Sequence, residues 1–272
     1  MSTVPKPSRG PFRANQIRCG DPYELSDGHA IYVLPAGGRH ADTNLVGGQV
    51  LATDPDVTQA GTDAGYSPEP GTLRAPDIAI GNVPREPGWI QGVPPLAVEY
   101  ADTGQDEAEL RSKVDDLLRW GTKYFWVVRL EGMPRVEVYE QGKPMRVALP
   151  GEELRAPGVL RNPVKVEALY NREAALEATL RNLLQRAGYD SLDEVLAKGR
   201  AEGKAEGRAE GKAEGKAEGR AEGKAEGRAE GKAEGLAEAA RRLVASGMTV
   251  EQASALLGLD IAFVRAAVGE AG

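Results

Sequence analysis

Apolar residues are distributed unevenly along this chain, and their spacing changes character several times. Short runs at 23–25 and 30–34 flank Asp27-Gly28, a pair that favours a two-residue hairpin turn. A helix is expected from 40 to 52, although Gly47-Gly48 weakens it. Residues 54–72 are rich in Gly, Pro, Asp and Thr and read as a loop. Two compact apolar runs follow, at 76–80 and 96–100, and read as strands. From 105 to 120 the period becomes helical. Leu110, Val114, Leu117 and Leu118 fall at i, i+4, i+7 and i+8, and Gly121 ends the segment. Residues 123–128 are aromatic and β-branched and read as a buried strand. Residues 135–139 alternate and pair with a short strand at 145–148. Strand, strand, helix, strand predicts a mixed sheet with a crossover helix.

Beyond 165 the pattern is helical. Leu169, Ala175, Leu176, Leu180, Leu183 and Leu184 form an apolar stripe within 165–197. From 200 to 235 the chain is nine copies of (Arg/Lys)-Ala-Glu-Gly, about 54 Å long if helical at 1.5 Å per residue. A glycine in every unit costs about 1 kcal/mol relative to alanine, and a period of four sets like charges at i, i+4. There is no apolar seam, so a solvated, marginally helical spacer is expected rather than a heptad coiled coil. Residues 236–268 are again amphipathic, in two or three short helices of helix-turn-helix type. Thr249 is placed to cap the helix 250–257 and Gly258 to stop it. The parts expected are a flexible lead-in at 1–20, an α/β domain at 21–150, a helical segment at 165–199, the spacer at 200–235 and the small helical unit at 236–268.

Charge narrows the range of functions. The net charge is −7; residues 1–199 hold 22 Lys/Arg against 28 Asp/Glu, and the repeat is neutral with nine of each. No segment is a basic nucleic-acid arm, though a local basic groove is compatible with this balance. In the last segment only Arg241, Arg242 and Arg265 are basic, so packing or self-association through this tail competes with DNA reading as its role. The single cysteine, Cys19, forms no intramolecular disulfide, and His29, His40 and Cys19 match no zinc spacing. The opening residues lack the apolar core of a secretory leader, and no run reaches the ~20 apolar residues of a membrane span. A cytoplasmic protein with no membrane association is expected.

Three residues stand out chemically. Asp77 opens one apolar strand and Glu99 lies near the end of the next. Either could be a solvated strand end. Two carboxylates on neighbouring strands could also bind a hard cation such as Mg²⁺. Lys113 falls about 40° beyond Leu117 on the helix, at the edge of its apolar stripe. It could snorkel to solvent or send its ammonium towards the sheet.

The combination of Pro76-Asp77, Glu99, Lys113, Gly121 and Trp126, with Tyr23-Glu24-Leu25, Asp27-Gly28 and His40 upstream, resembles the Uma-two family of restriction endonucleases in the PD-(D/E)XK superfamily. The likeness covers about 20–145. It departs at Asp102, where the family commonly has Ser, and at Leu117, where it often has Tyr. It implies a restriction-endonuclease-like α/β fold, a mixed sheet with flanking helices ahead of the helical tail. It also implies Mg²⁺-dependent hydrolysis of phosphodiester bonds in DNA. Asp77, Glu99 and the backbone carbonyl of Tyr100 would hold the metal. Lys113 would act on the attacking water or on developing charge. Glu24 is a further candidate, while His40 reads better as a helix-start residue. Arg111, Arg119 and Lys123 could touch phosphates or simply face solvent. The superfamily's lysine two residues after the acidic residue is replaced by Ala101, so Lys113 would have to supply that charge from the helix. The runner-up reading is a catalytically inactive DNA-binding or assembly protein on a degenerate nuclease fold.

Overall fold

The computed structural model describes residues 10–104 and 106–269. The chain divides into two compact units, Met1–Val195 and Leu196–Gly272. The first opens with the hairpin β1 (Tyr23–Ser26) and β2 (His29–Tyr32), helix α1 (Gly38–Ala52), and strands β3 (Ala60–Thr62), β4 (Ile78–Ile80) and β5 (Leu96–Ala101). Helix α2 (Glu107–Arg119) and strands β6 (Tyr124–Arg129), β7 (Arg135–Glu140) and β8 (Arg146–Ala148) follow. Then come the short pair β9 (Glu153–Leu154) and β10 (Val164–Lys165), a 3-10 turn (Val166–Leu169) and helix α3 (Arg172–Arg186). Helix α4 spans Leu192–Ala245, and α5 (Val250–Leu257) and α6 (Ile261–Val268) complete the described residues.

One six-stranded sheet, in the order β3-β4-β5-β6-β7-β8, organises the first unit. Every neighbouring pair is antiparallel except β5 and β6, which α2 joins as a crossover. Helix α2 forms because Asp106 accepts from the amides of Ala108 and Glu109, and Leu110, Val114 and Leu117 give it a buried face. The β1–β2 hairpin closes on Asp27 and Gly28, both at positive φ, as the Asp-Gly pair predicts.

Alternation along β5 sends Leu96, Val98 and Tyr100 into the core that also takes Val46, Val50 and Trp126. Ala97 and Ala101 face the other way, into the cluster formed with Leu110, Val114, Leu117 and Phe125. Glu99, between two alanines, therefore points to the α2 side of the sheet.

Several expectations need correction. Residues 10–20 are tied down: Phe12 N–H donates to Gly28 O and Ala14 N–H to Pro70 O, at 2.8 and 2.7 Å. Residues 1–9 of that expected lead-in, and Gln105 at the expected start of α2, lie outside the described residues. The stretch 54–72 contributes the edge strand β3. Gly47 does not break α1; a Cβ there would overlap the Tyr100 hydroxyl, which donates to Leu169 O at 2.8 Å. The leucine stripe of α3 is turned outward, with Leu176, Leu180 and Leu183 exposed. Polar contacts set that rotation: Asn182 donates to Val50 O, and Arg186 donates to the carbonyls of Ala52, Thr53 and Asp54 at the end of α1. Apolar burial continues beyond 150, through Leu154, Leu160, Val164, Val166 and Leu169.

In the second unit the repeat is a continuous part of α4, exposed throughout 200–235. Three of every four positions are good helix formers, and no Pro or β-branched residue interrupts them, which outweighs the glycines. Ala240, Val250, Ala253 and Val264 then close a small core between α5, α6 and the end of α4. Thr249 and Gln252 form a capping box, and Gly258 stops α5 in the left-handed region.

Candidate active site

Four side chains with formal charge meet where β4 begins and β5 ends. Asp77 lies in the bend one residue ahead of β4, directly after Pro76. Its Oδ2 accepts the Tyr100 backbone N–H at 2.6 Å, and its own N–H donates to Glu99 Oε2 at 3.3 Å. Glu99 Oε1 accepts from Lys113 Nζ at 2.8 Å. The same ammonium lies 3.0 Å from Glu24 Oε1 and donates to Ala75 O at 3.2 Å. Asp77, Glu99, Lys113 and Glu24 are all at most 9% exposed.

Each residue is delivered by a local feature. Glu99 falls on the α2 face between two alanines, whose small side chains leave space above the strand. Lys113 is at the helix position that meets this space, so its stem packs with the apolar stripe and its ammonium reaches the sheet. Glu24 comes from β1 and is turned away from Asp77: its Oε2 accepts from Arg74 at 3.3 Å. Arg74 is fully buried and also binds Glu109, Asp116 and Ser112 on α2. Glu24 thus bridges the Lys113 ammonium and the Arg74 guanidinium.

The expected residues Asp77, Glu99, Lys113, Tyr100 and Glu24 are brought together. His40 is more than a helix-start residue: from the first turn of α1 its Nε2 lies 3.1 Å from Asp77 Oδ1, and its ring meets Tyr100 edge-on. Asp63, in the turn after β3 at φ +52, also lines the cleft, as does Asp102, paired with Arg39. Arg111, Arg119 and Lys123 do not line it. Arg119 binds Asp116, and Arg111 lies over the Tyr139 ring. Arg74 had a signal in the sequence, since a charged residue between Leu73 and Ala75 needs partners if buried. His40 had only its place in the family resemblance and Asp63 had no signal, because their contacts depend on how α1 and the β3–β4 turn fold over the sheet.

Electrostatics differ across the cluster. Burial pushes Glu99 up to about 8, against the pull of Lys113 and with help from Asp77 and Glu24. At Lys113 burial works against the charge, but Glu24 and Glu99 outweigh it and hold its pKa above the ordinary value. The difference is one of number: the ammonium serves two anions, while Glu99 has one close cation and two anions near it. The hydrogen bond to Asp77 raises His40 in spite of burial. Burial, then Asp77, raises Asp63.

The cluster forms the floor of a cleft of about 1060 Å³. A smaller hollow of about 360 Å³ beside Pro68 and Pro70 contains none of these residues. Among the described residues no three His, Cys, Asp or Glu side chains surround a common metal position, and Glu24 is taken up by Lys113 and Arg74. Two carboxylates remain, with the Tyr100 carbonyl on the strand edge whose N–H already meets Asp77. These are hard oxygen donors, and one or two carboxylates suffice for Mg²⁺, which keeps several waters. The donor set fits such a cation.

A mixed sheet with a single parallel pair, an acidic residue ahead of one strand, another on the next and a lysine on the crossover helix define a restriction-endonuclease-like α/β protein. Residues 15–165 match the Uma2 family, described as "Putative restriction endonuclease", and the chain belongs to that family. It is also similar to a solved structure described as a "putative nuclease belonging to DUF820" from Anabaena variabilis ATCC 29413, at 17% identity and a TM-score of 0.47. That likeness covers 56% of this chain and 90% of the other. None of the curated proteins compared matches the chain. Among the described residues no helix is long and apolar enough to cross a membrane.

Proposed function

We propose that this chain is a divalent-metal-dependent endonuclease that hydrolyses phosphodiester bonds in DNA, with Mg²⁺ as the working cation. The observation that carries the reading is the convergence of Asp77, Glu99 and Lys113, with Lys113 Nζ 2.8 Å from Glu99. Asp77, Glu99 and the Tyr100 carbonyl hold the cation. When bound, it supplies a Lewis acid for the phosphate and acidifies a water. Lys113 places a positive charge beside that water and offsets the charge that builds on the phosphate. His40 and the Tyr100 N–H fix the Asp77 carboxylate, so little rearrangement is needed at the moment of reaction. Glu24 acts through Lys113 as a positioning residue. The same convergence weighs against the inactive-scaffold reading, which requires none of it.

The test is cleavage of plasmid and single-stranded DNA by purified protein with Mg²⁺ or Mn²⁺ and with a chelator. Cutting is expected only with the metal, and Asp77→Asn and Glu99→Gln should each abolish it while the fold persists by circular dichroism. If both variants cut at the wild-type rate, the site is wrongly assigned.

A further inference from the structure

The cleft has a floor and a lip of opposite character. Eight of its lining side chains are carboxylates and only two are Lys or Arg. Both of those cations are committed, Arg39 to Asp102 and Lys113 to Glu24 and Glu99. Among the described residues the cleft therefore offers no uncommitted Lys or Arg to a row of phosphates. A paired duplex, with a charge about every 1.7 Å of its axis, would meet a field of its own sign there.

The lip is apolar. Tyr32, Val33 and Leu34, consecutive at the end of the β1–β2 hairpin, are 47%, 41% and 71% exposed and line the same cleft. Large apolar side chains grouped in this way beside a reactive centre mark a contact surface. The lip is also held in place. Val33 N–H donates to Pro22 O at 3.0 Å, and the Tyr32 ring meets Tyr23 edge-on with centroids 5.7 Å apart. An aromatic ring on a fixed backbone loses little freedom when something stacks on it.

A nucleobase is the uncharged, flat part of a nucleic acid, and it can reach such a lip only when it is out of the paired stack. We propose that the Tyr32–Leu34 lip receives an unpaired base of the strand whose phosphate enters between Asp77 and Glu99. The substrate is then DNA that is single-stranded at the reacting nucleotide. This rests on the nuclease reading above and adds the substrate class to it. One phosphate reaches the acidic floor, where the cation offsets its charge, and the lip supplies the holding contact by stacking.

The experiment is fluorescence anisotropy on the full chain, with Ca²⁺ present, using a labelled single-stranded oligonucleotide and its duplex. The single strand is expected to bind at least about tenfold more tightly, and Tyr32→Ala and Leu34→Ala each to weaken it about tenfold. Leu34 is 71% exposed, so the unfolding temperature of Leu34→Ala should not move, whereas Tyr32→Ala also loses the Tyr23 contact. Equal or tighter binding of the duplex overturns the proposal, as does wild-type affinity of both variants for the single strand. A parallel cleavage assay separates the two levels. Metal-dependent cutting of the single strand by Tyr32→Ala and Leu34→Ala at the wild-type rate overturns the lip assignment alone. Failure of any divalent metal to support cutting of either form overturns the nuclease reading beneath it.

Discussion

Lys113 reaches Glu99 from the helix that follows the strand, not from the strand itself, with its Nζ 2.8 Å from the Glu99 Oε1. Two residues beyond Glu99, Ala101 is 3% exposed and packs in the cluster of Leu110, Val114 and Leu117. Lys113→Ala is expected to lower the single-turnover cleavage rate by about a hundredfold or more, in line with loss of a charge-stabilising group. Adding Ala101→Lys in that background should return part of the lost rate, since removal of the Lys113 side chain frees the space that Ala101 leaves above the strand. An unimpaired Lys113→Ala enzyme would remove Lys113 from the site.

Stability without metal should fall as pH rises. Folded Glu99 keeps its proton to about pH 8, whereas its ordinary pKa is near 4.5. Its contribution is complete below about 4.5 and lost by about 8. His40 is raised in the same sense, so its contribution begins to fade above about 6.5. In both cases the native state binds more protons than the unfolded state, which makes stability decline with pH. A cation on Asp77 and Glu99 displaces the Glu99 proton, so stabilisation by Mg²⁺ should grow across the same window. Thermal unfolding in chelator and in Mg²⁺, from about pH 5 to 8, reads both trends. A chelated protein that gains stability throughout would contradict the Glu99 and His40 environments.

Arg74 has no solvent exposure and faces Glu24, Glu109 and Asp116. Removing one partner from a buried ionic cluster leaves the others uncompensated, typically a loss of about 3–5 kcal/mol. Arg74→Met should therefore unfold at markedly lower denaturant. Arg74→Lys should recover only part of the loss, since an ammonium cannot bond Asp116, Glu109 and Ser112 in the planar fork of a guanidinium. Urea titration separates the three proteins, and a wild-type midpoint for Arg74→Met would mean that the cluster contributes nothing.

The repeat glycines have open space around them, Gly207 and Gly219 among them. Replacing each with alanine should stabilise α4 by up to about 1 kcal/mol per site. Far-ultraviolet circular dichroism during heating is the readout. Unchanged melting of the helix would contradict a helix-propensity cost at these glycines.

The patterned parts of this chain were legible before any coordinates. Compact apolar runs and β-branched or aromatic composition located β5 and β6, the 3.6 period located α2, and Asp27-Gly28 located the hairpin, because each signal is local. Asp77, Glu99 and Lys113 could be named because charged residues at the edges of apolar runs are costly to bury alone. His40 on Asp77 could not, since that contact joins residues 37 apart through the tilt of α1. The rotation of α3 is set by contacts of a related kind. Its leucines carry the apolar signal, but Asn182 and Arg186 bind the end of α1 and turn the alanine side inward. The repeat was read as marginal from its glycines, while the absence of any helix breaker decided the outcome.

The hydroxyl of Tyr100 donates to the carbonyl of Leu169, over the gap left by Gly47. Tyr100 belongs to the strand whose backbone amide grips Asp77, yet Leu169 lies past residue 165, where the family resemblance stops. The stretch shared with relatives is thus shorter than the piece of chain that keeps this floor rigid. A protein trimmed to the shared stretch would keep every reactive group and lose the brace behind one of them. Kinship measured along the sequence and mechanical integrity measured in space have different borders here.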